Sequence, residues 1–199
     1  MDLQSYLRQS ETALTRPEAT GFAAQWSSKF VKKATSFAHQ DQPDSNEYIL
    51  LQGRVVSVIV GAEGQAVCVG MYCGPCTITP NLARSRQSNS RVSLLATIDS
   101  LICHLSAARL VDLMLTSSSI RDWANAVLQK ELAFKADREW CLAALKGADR
   151  LAWFRANFPE HENNFSHSHI ASFLGMTPVT LSRLRNMPST AVTPPISNP

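Results

Sequence analysis

His167–Asn186, HSHIASFLGMTPVTLSRLRN, has the spacing of two short helices that meet at a sharp corner. The first turns Ile170, Ala171 and Leu174 inward, the corner uses the Cβ-free Gly175 beside a buried Met176, and the second buries Leu181 and Leu184. Small Ala171 allows close helix contact. Ser166 is placed to cap the first helix. Thr177 followed by Pro178 gives the second a capping oxygen and a first residue whose missing N–H costs nothing. The pattern is that of a helix-turn-helix, whose second helix lies in the major groove of DNA. A plain helical hairpin packed in a core is the alternative.

Pro178, Val179, Ser182, Arg183 and Arg185 are expected on or near the outer side of the second helix, with Thr180 close to the corner. Pro178 and Val179 suit thymine methyl groups, and Arg183 suits a guanine edge or a phosphate. Thr177, Thr180 and Ser182 suit backbone oxygens, as do Ser166, His167 and Ser168 at a positive helix terminus. For each Ser or Thr, a capping or solvated role is the competing reading.

The chain has 199 residues, a net charge of +3 and 45% hydrophobic residues, enough for one ordinary domain and a small one. In the 160–185 stretch Glu160 and Glu162 offset Arg183 and Arg185, so non-specific DNA affinity should be modest and dimerisation would help. No apolar run approaches the roughly twenty residues of a membrane helix, and MDLQSYLRQSETALTRPEA lacks the apolar core of a secretion signal. The expectation is a soluble, cytoplasmic protein. Cys68, Cys73, Cys76, Cys103 and Cys141, odd in number and scattered, fit a reducing compartment.

A helical lead from Leu3 to Phe30 is followed by β-rich runs at Glu47–Leu51, Arg54–Val60 and Val67–Tyr72, broken at Gln52-Gly53 and Gly61-Ala62-Glu63-Gly64. These read as a meander of hairpins. Further runs at Arg91–Thr97 and Leu101–Leu105 complete a small antiparallel roll or barrel. Helical spacing returns at Ser106, and Ser117–Ser119 cap a long helix ending near Gly147. Steps of four and three pass through Ile120, Ala124, Val127, Glu131, Phe134, Arg138, Cys141 and Leu145, which approximates a coiled-coil seam for dimerisation. The alternative is a helix buried against its own domain. One more helix is expected over Asp149–Phe158, stopped by Pro159, and the proline-rich tail after Pro188 is expected to be disordered.

In this order the elements resemble the Crp/Fnr superfamily of bacterial transcription regulators. The likeness covers roughly Lys29–Asn186: KFVKKATSFAHQDQPDSNEYILLQGRVVSVIV resembles the opening strands with their glycine, here Gly53; GAEGQAVCVGMYCGP resembles the next hairpin; FSHSHIASFLGMTPVTLSRLRN resembles the DNA-reading segment. The resemblance implies an α+β fold. Its parts would be a lead (1–30), a jelly-roll-like cyclic-nucleotide-binding-like effector domain (31–116), a dimerisation helix (117–147), a helix-turn-helix domain (148–187) and a tail (188–199). It also implies a homodimer that binds a roughly two-fold symmetric site on double-stranded DNA and touches or excludes RNA polymerase. The functional residues carry over best at Thr177, Pro178, Val179, Thr180, Ser182 and Arg183.

The effector region departs from that pattern. GPCTITPNL has no glutamate for a ribose, and Arg91, most like the phosphate-gripping arginine, is followed by Val92, which leaves Ser93 one step away. Cyclic nucleotide is therefore not expected in the usual way. The cysteine set of the oxygen-sensing branch is absent from the amino terminus, and Asn186-Met187-Pro188 leaves no room for the usual β-wing.

Cys73-Gly74-Pro75-Cys76 matches the thiol-disulfide exchange motif by its letters, with a nucleophilic thiol and a resolving one. That motif belongs between a strand and a helix, whereas here Thr77-Ile78-Thr79-Pro80 follows and breaks a helix early. A thiol-disulfide oxidoreductase, a redox switch in a regulator and unreactive cysteines are the competing readings; a protein-interaction module that lost DNA binding is a further one. No metal-ligand cluster, phosphate loop or nucleophile elbow is evident, and His39, His104, His161, His167 and His169 are isolated or share a surface helix, so neither enzyme activity nor a cofactor is expected.

Overall fold

The computed structural model describes residues 1–10, 12 and 14–186. They form two compact units, Met1–Ala136 and a second that starts at Asp137.

The first unit opens with α1 (Leu3–Gln9) and α2 (Arg16–Ala23). Thr15 and Glu18 close a capping box at the start of α2, the carboxylate accepting the Thr15 N–H at 2.8 Å. The helical lead ends there, short of Phe30, because Ser27–Val31 is already a strand, β1, paired with β10 (Ser100–Ser106). Between them the chain forms β2 (Ser36–Ala38), β3 (Asn46–Gln52), β4 (Arg54–Val60), β5 (Ala66–Cys73), β6 (Cys76–Thr77), α3 (Asn81–Arg84), β7 (Ser85–Arg86), β8 (Asn89–Ser90) and β9 (Ser93–Ala96).

Two four-stranded antiparallel sheets result, ordered β1-β10-β3-β6 and β2-β9-β4-β5, with β7 and β8 as a separate ribbon. The expected meander is corrected here. β4 and β5 are a hairpin, but β3 pairs with β10 and β6 and not with β4. The chain changes sheets at Gly53, whose φ of 111° suits glycine and where an added Cβ would lie 2.1 Å from the Ser100 hydroxyl oxygen.

β3 is buried along almost its whole length because both of its faces are covered. Tyr48 and Leu50 point with Ile102, Val55, Leu94 and Ala96 into the core of the roll. Ile49 and Leu51 point the other way with Cys103 and Leu105, against Leu7, Phe22 and Trp26 of the amino-terminal segment. The period of two thus builds two cores from one strand.

α4 (Ala107–Thr116) is capped by Ser106, and α5 (Ser118–Ala144) follows as a 27-residue helix, in the first unit through Ala136 and in the second from Asp137. The seam expected for dimerisation is a second correction. Ile120 and Val127 are buried with Trp123 in the amino-terminal core, where the indole N–H donates to Ser10 Oγ at 2.9 Å. Glu131 is reached by the Thr79 hydroxyl at 3.3 Å, and Cys141 is buried in the second unit. The seam therefore faces this chain's own units. An outward apolar edge of α5 lies one residue further round, where Leu128 is half-buried and Leu132 exposed.

In the second unit α6 (Gly147–Asn157), α7 (His161–Asn164), α8 (His167–Phe173) and α9 (Pro178–Arg185) pack around Leu151, Phe154, Phe165, Ile170, Phe173 and Leu181. Phe154, Phe158 and Phe173 stack mutually at centroid distances of 5.3, 6.0 and 5.8 Å. The stretch expected to lack a β-wing, from Met187 on, and the tail after Pro188 lie outside the described residues.

Candidate nucleic-acid interface

The corner between α8 and α9 is built from local chemistry. Ser166 Oγ accepts the His169 N–H at 3.2 Å and Thr177 Oγ1 accepts the Thr180 N–H at 3.1 Å, so both helices begin on side-chain caps. Pro178 opens α9. Gly175 sits at φ +63°, the left-handed conformation that ends α8. Ile170, Ala171, Leu174 and Leu181 are buried as their spacing requires, whereas Met176 and Leu184, expected inside, are only half-buried.

Two arginines outside the motif hold this corner; Arg150 was not singled out from the sequence, and Arg138 entered only as a position of the apolar series on α5. Arg150, on α6, donates to the carbonyls of Leu142 (2.8 Å), Leu145 (3.0 Å), Leu174 (3.1 Å) and Gly175 (3.3 Å). Its guanidinium fork thereby ties the last turn of α5 to the last turn of α8, satisfying carbonyls that a helix end leaves open. Arg138 lies 4.5 Å over the Phe173 ring and donates to the Phe173 carbonyl at 2.9 Å. In sequence, Arg150 reads as an ordinary surface cation and Arg138 as a charged interruption of the α5 seam. The one available signal for Arg150 is its place in the first turn of the helix that directly follows α5.

The residues expected to read DNA fall into two groups. Ser168, Pro178, Val179, Ser182 and Arg183 are exposed, and Arg183 meets no partner among the described residues. The second group is engaged internally. Ser166 and Thr177 are caps, and the Thr177 and Thr180 hydroxyls lie 2.9 Å apart. Arg185 is half-buried, paired with Glu162 at 2.9 Å and in contact with His167 Nε2; Arg155 grips the same carboxylate at 2.7 and 2.9 Å. Hydrogen bonds from Arg155, then the charges of Arg155, Arg185 and His167, hold the Glu162 carboxyl below the usual glutamate range against the opposing effect of burial.

In the roll, Arg91 is exposed and its backbone N–H donates to the Arg84 carbonyl at 2.7 Å, while Ser93 Oγ accepts the Gln40 N–H at 3.0 Å. The buried guanidinium is instead that of Arg84, 1% exposed. It pairs with Asp44, donates to the Asn46 carbonyl, reaches the Thr79 carbonyl at 3.3 Å and lies 5.1 Å from the Tyr48 ring centroid. The Tyr48 hydroxyl donates to Asp44 at 3.1 Å, and burial pushes this phenol up to about 12. Nearby, the Asn81 N–H donates to Glu47 at 2.6 Å. Arg84 stands in a short helix after Pro80, where sequence periodicity carries no signal.

Cys73 and Cys76 lie at the end of β5 and the start of β6, in different sheets, and not at a helix start. Burial foremost, then the charge of Cys73, pushes the Cys76 thiol up to about 12 against the pull of Lys130. The thiol so raised is the second of the pair, the resolving position of an exchange motif, and the helix start that such a motif needs for its first thiol is not there. Among the described residues no helix is long and apolar enough to cross a membrane.

No family model matches the chain, and no curated protein sequence matches it. Solved structures do. FixK2 from Bradyrhizobium japonicum is similar at 17% identity over 80% of this chain and 82% of that one, with a TM-score of 0.71. A variant of CooA from Carboxydothermus hydrogenoformans is similar at 16% identity over 94% and 83%, with a TM-score of 0.70. A protein from Eubacterium rectale described as a Crp/Fnr-family transcriptional regulator follows at 15% identity over 86% and 82%, with a TM-score of 0.66. Two facing antiparallel sheets, a long helix and a helical corner after it, in that order, give this chain the Crp/Fnr-type fold.

Proposed function

We propose that this chain is a sequence-specific, DNA-binding transcription regulator that acts in the cytoplasm as a homodimer. The observation that carries the reading is α9: Leu181 is fully buried while Pro178, Val179, Ser182 and Arg183 stand exposed on the rest of the helix. A capped helix fixed on one side and bare on the other suits insertion into a major groove. Pro178 and Val179 would meet thymine methyls, and Arg183 a guanine edge or phosphate. Ser168, Ser182 and the N–H groups at Ser166 and His167 would meet backbone oxygens. Thr177 and Thr180 would add contacts through lone pairs not used in capping, and Arg185 would act mainly by holding α9 to Glu162.

Residues 148–187 are the DNA-binding domain in this reading, 117–147 the dimer helix and 31–116 the effector-type domain. The second copy would pack on the outward edge of α5, where Leu132 is 55% exposed. The dimer would regulate by touching or excluding RNA polymerase. In this reading the roll does not grip a cyclic nucleotide through Arg91 and Ser93 in the usual way, since a ribose-binding glutamate is missing and Val92 follows Arg91.

Successive rounds of selection from a pool of randomised duplexes test it. Enrichment of a two-fold symmetric sequence is expected, with half-sites about one helical turn apart. Retention of the pool without enrichment rejects it.

A further inference from the structure

Of the two guanidiniums on α9, one is bare and one is restrained. Arg183 is exposed, whereas Arg185 Nε lies 2.9 Å from Glu162 Oε1 and its Nη1 touches His167 Nε2. Arg155 of α6 donates to the same carboxylate at 2.7 and 2.9 Å. Side chains of α6 and α9 thus meet on one carboxylate of α7, and the first residue of α8 adds His167.

This arrangement withholds positive charge. Carboxylate and phosphodiester oxygens are the same kind of acceptor for a guanidinium fork, so the donors that one takes are denied to the other. The Arg155 and Arg185 side chains are 44% and 26% exposed, open enough for a phosphate to reach, but their internal partner is already in place. Arg150 differs. It is bound to carbonyls, which satisfy its N–H groups without cancelling its charge.

The location of the carboxylate gives it a role. In the proposed function a DNA backbone passes the start of α8, and His167, the residue that Arg185 touches, stands there. A released Arg185 close to a bare Arg183 would attract any duplex, whatever its sequence.

We infer that Glu162 is a specificity-determining residue: it competes with phosphate for Arg185 and Arg155 and so suppresses binding to DNA of random sequence, while its hold on Arg185 keeps the last turn of α9 where base contacts need it. Both effects raise the ratio of matched to random binding. On a random duplex only phosphate contacts count, and two restrained cations are missed in full. On a matched site the contacts of Pro178, Val179 and Arg183 come in addition, and they require a fixed α9. The effect on specificity rests on the proposed function; the competition with phosphate does not.

Titration of the full-length protein with a random and a selected duplex at several salt concentrations tests it. Glu162→Gln should bind the random duplex about fivefold more tightly than wild type at roughly 0.1 M salt, and log K should fall more steeply with log salt by roughly 0.9 for each arginine that gains a phosphate. The selected duplex should gain less. Glu160→Gln makes the same change of net charge at an exposed position two residues away and should shift random binding by no more than about twofold. Glu162→Asp keeps the charge and should keep the wild-type slope. Should Glu162→Gln fold poorly, Glu162→Met removes the charge at a similar side-chain length.

Random binding that rises no further than in Glu160→Gln overturns the inference, as does an aspartate variant as steep as the glutamine one, or an equal gain on both duplexes. Elution from phosphocellulose separates the competition from the DNA reading, since Glu162→Gln should need more salt than Glu160→Gln. If that holds while no form binds any duplex, the competition stands and the DNA reading is what fails; if the two variants elute together, the competition is overturned.

Discussion

Arg150 and Gly175 meet at the corner between α8 and α9, one of the four carbonyl contacts that the arginine makes. Nη1 of the arginine lies 3.3 Å from the glycine's carbonyl oxygen, and it would lie 3.2 Å from any Cβ placed on that glycine. Removing the clamp leaves carbonyls at two helix ends without their donor. Arg150→Ala should destabilise the second unit by about 3 kcal/mol, and Arg150→Lys should recover less than half of that, because an ammonium cannot span four carbonyls. Urea unfolding of both variants measures it; a lysine as good as the arginine would remove the clamp from the account.

Gly175→Ala tests the same corner from the other side. Its φ of +63° costs an L-residue roughly 1–2 kcal/mol, and the new methyl would also crowd Leu142 Cδ2 at 3.3 Å. A melting temperature that falls by several degrees is expected, about 4–8 °C per kcal/mol for a small unit. An unchanged temperature would mean that the corner relaxes freely.

Arg183 and Arg185, two residues apart, should behave differently. Arg183→Ala should weaken binding to a selected duplex by about 1–3 kcal/mol with little effect on unfolding, if it reads a base. An equal loss on random duplexes makes it a phosphate contact. Arg185→Ala should act first on stability, through the lost pair with Glu162. Titrations on both duplexes beside denaturation curves separate these outcomes.

The carboxyl of Glu162 is held below its ordinary value, above all by hydrogen bonds from Arg155. A carboxylate depressed on folding contributes stability that is complete above its unfolded value, about 4.3, and is lost as pH falls through the folded value. The stability gap between wild type and Glu162→Gln should therefore be widest near neutrality and close on acidification. Denaturation at a series of pH values checks this, and a gap of constant size would contradict it.

In the roll, Asp44→Ala would strand the Arg84 guanidinium, whose side chain is 0% exposed. A loss of about 3–5 kcal/mol is expected, whereas replacing both partners by apolar residues of similar volume should cost much less. Thermal unfolding of the single and double variants decides it; equal losses would rule out an uncompensated charge as the cause.

The helix-turn-helix was legible because its information is local. Ser166, Thr177, Pro178 and Gly175 act on neighbours within a few residues, and the spacing of Ile170, Ala171, Leu174 and Leu181 states which side is buried. The strands were legible for the same reason, since β-rich runs broken by glycines mark themselves. Their partners were not. That β3 joins β10 across some fifty residues, and not the adjacent β4, follows from twist and from which faces find cover.

The amino-acid sequence by itself thus determined the main strands of the roll, the long helix, the two helices after it that meet at a corner, and the face that α9 leaves bare. Tertiary structure alone decided three things: that the apolar series of α5 faces its own units, that Arg84 and not Arg91 is the roll's buried cation, and that Arg150 holds the corner between α8 and α9. The physical reason is common to all three. Periodicity records that a side chain is apolar and where it points on its own element, but burial and ion pairing depend on what another part of the chain places opposite.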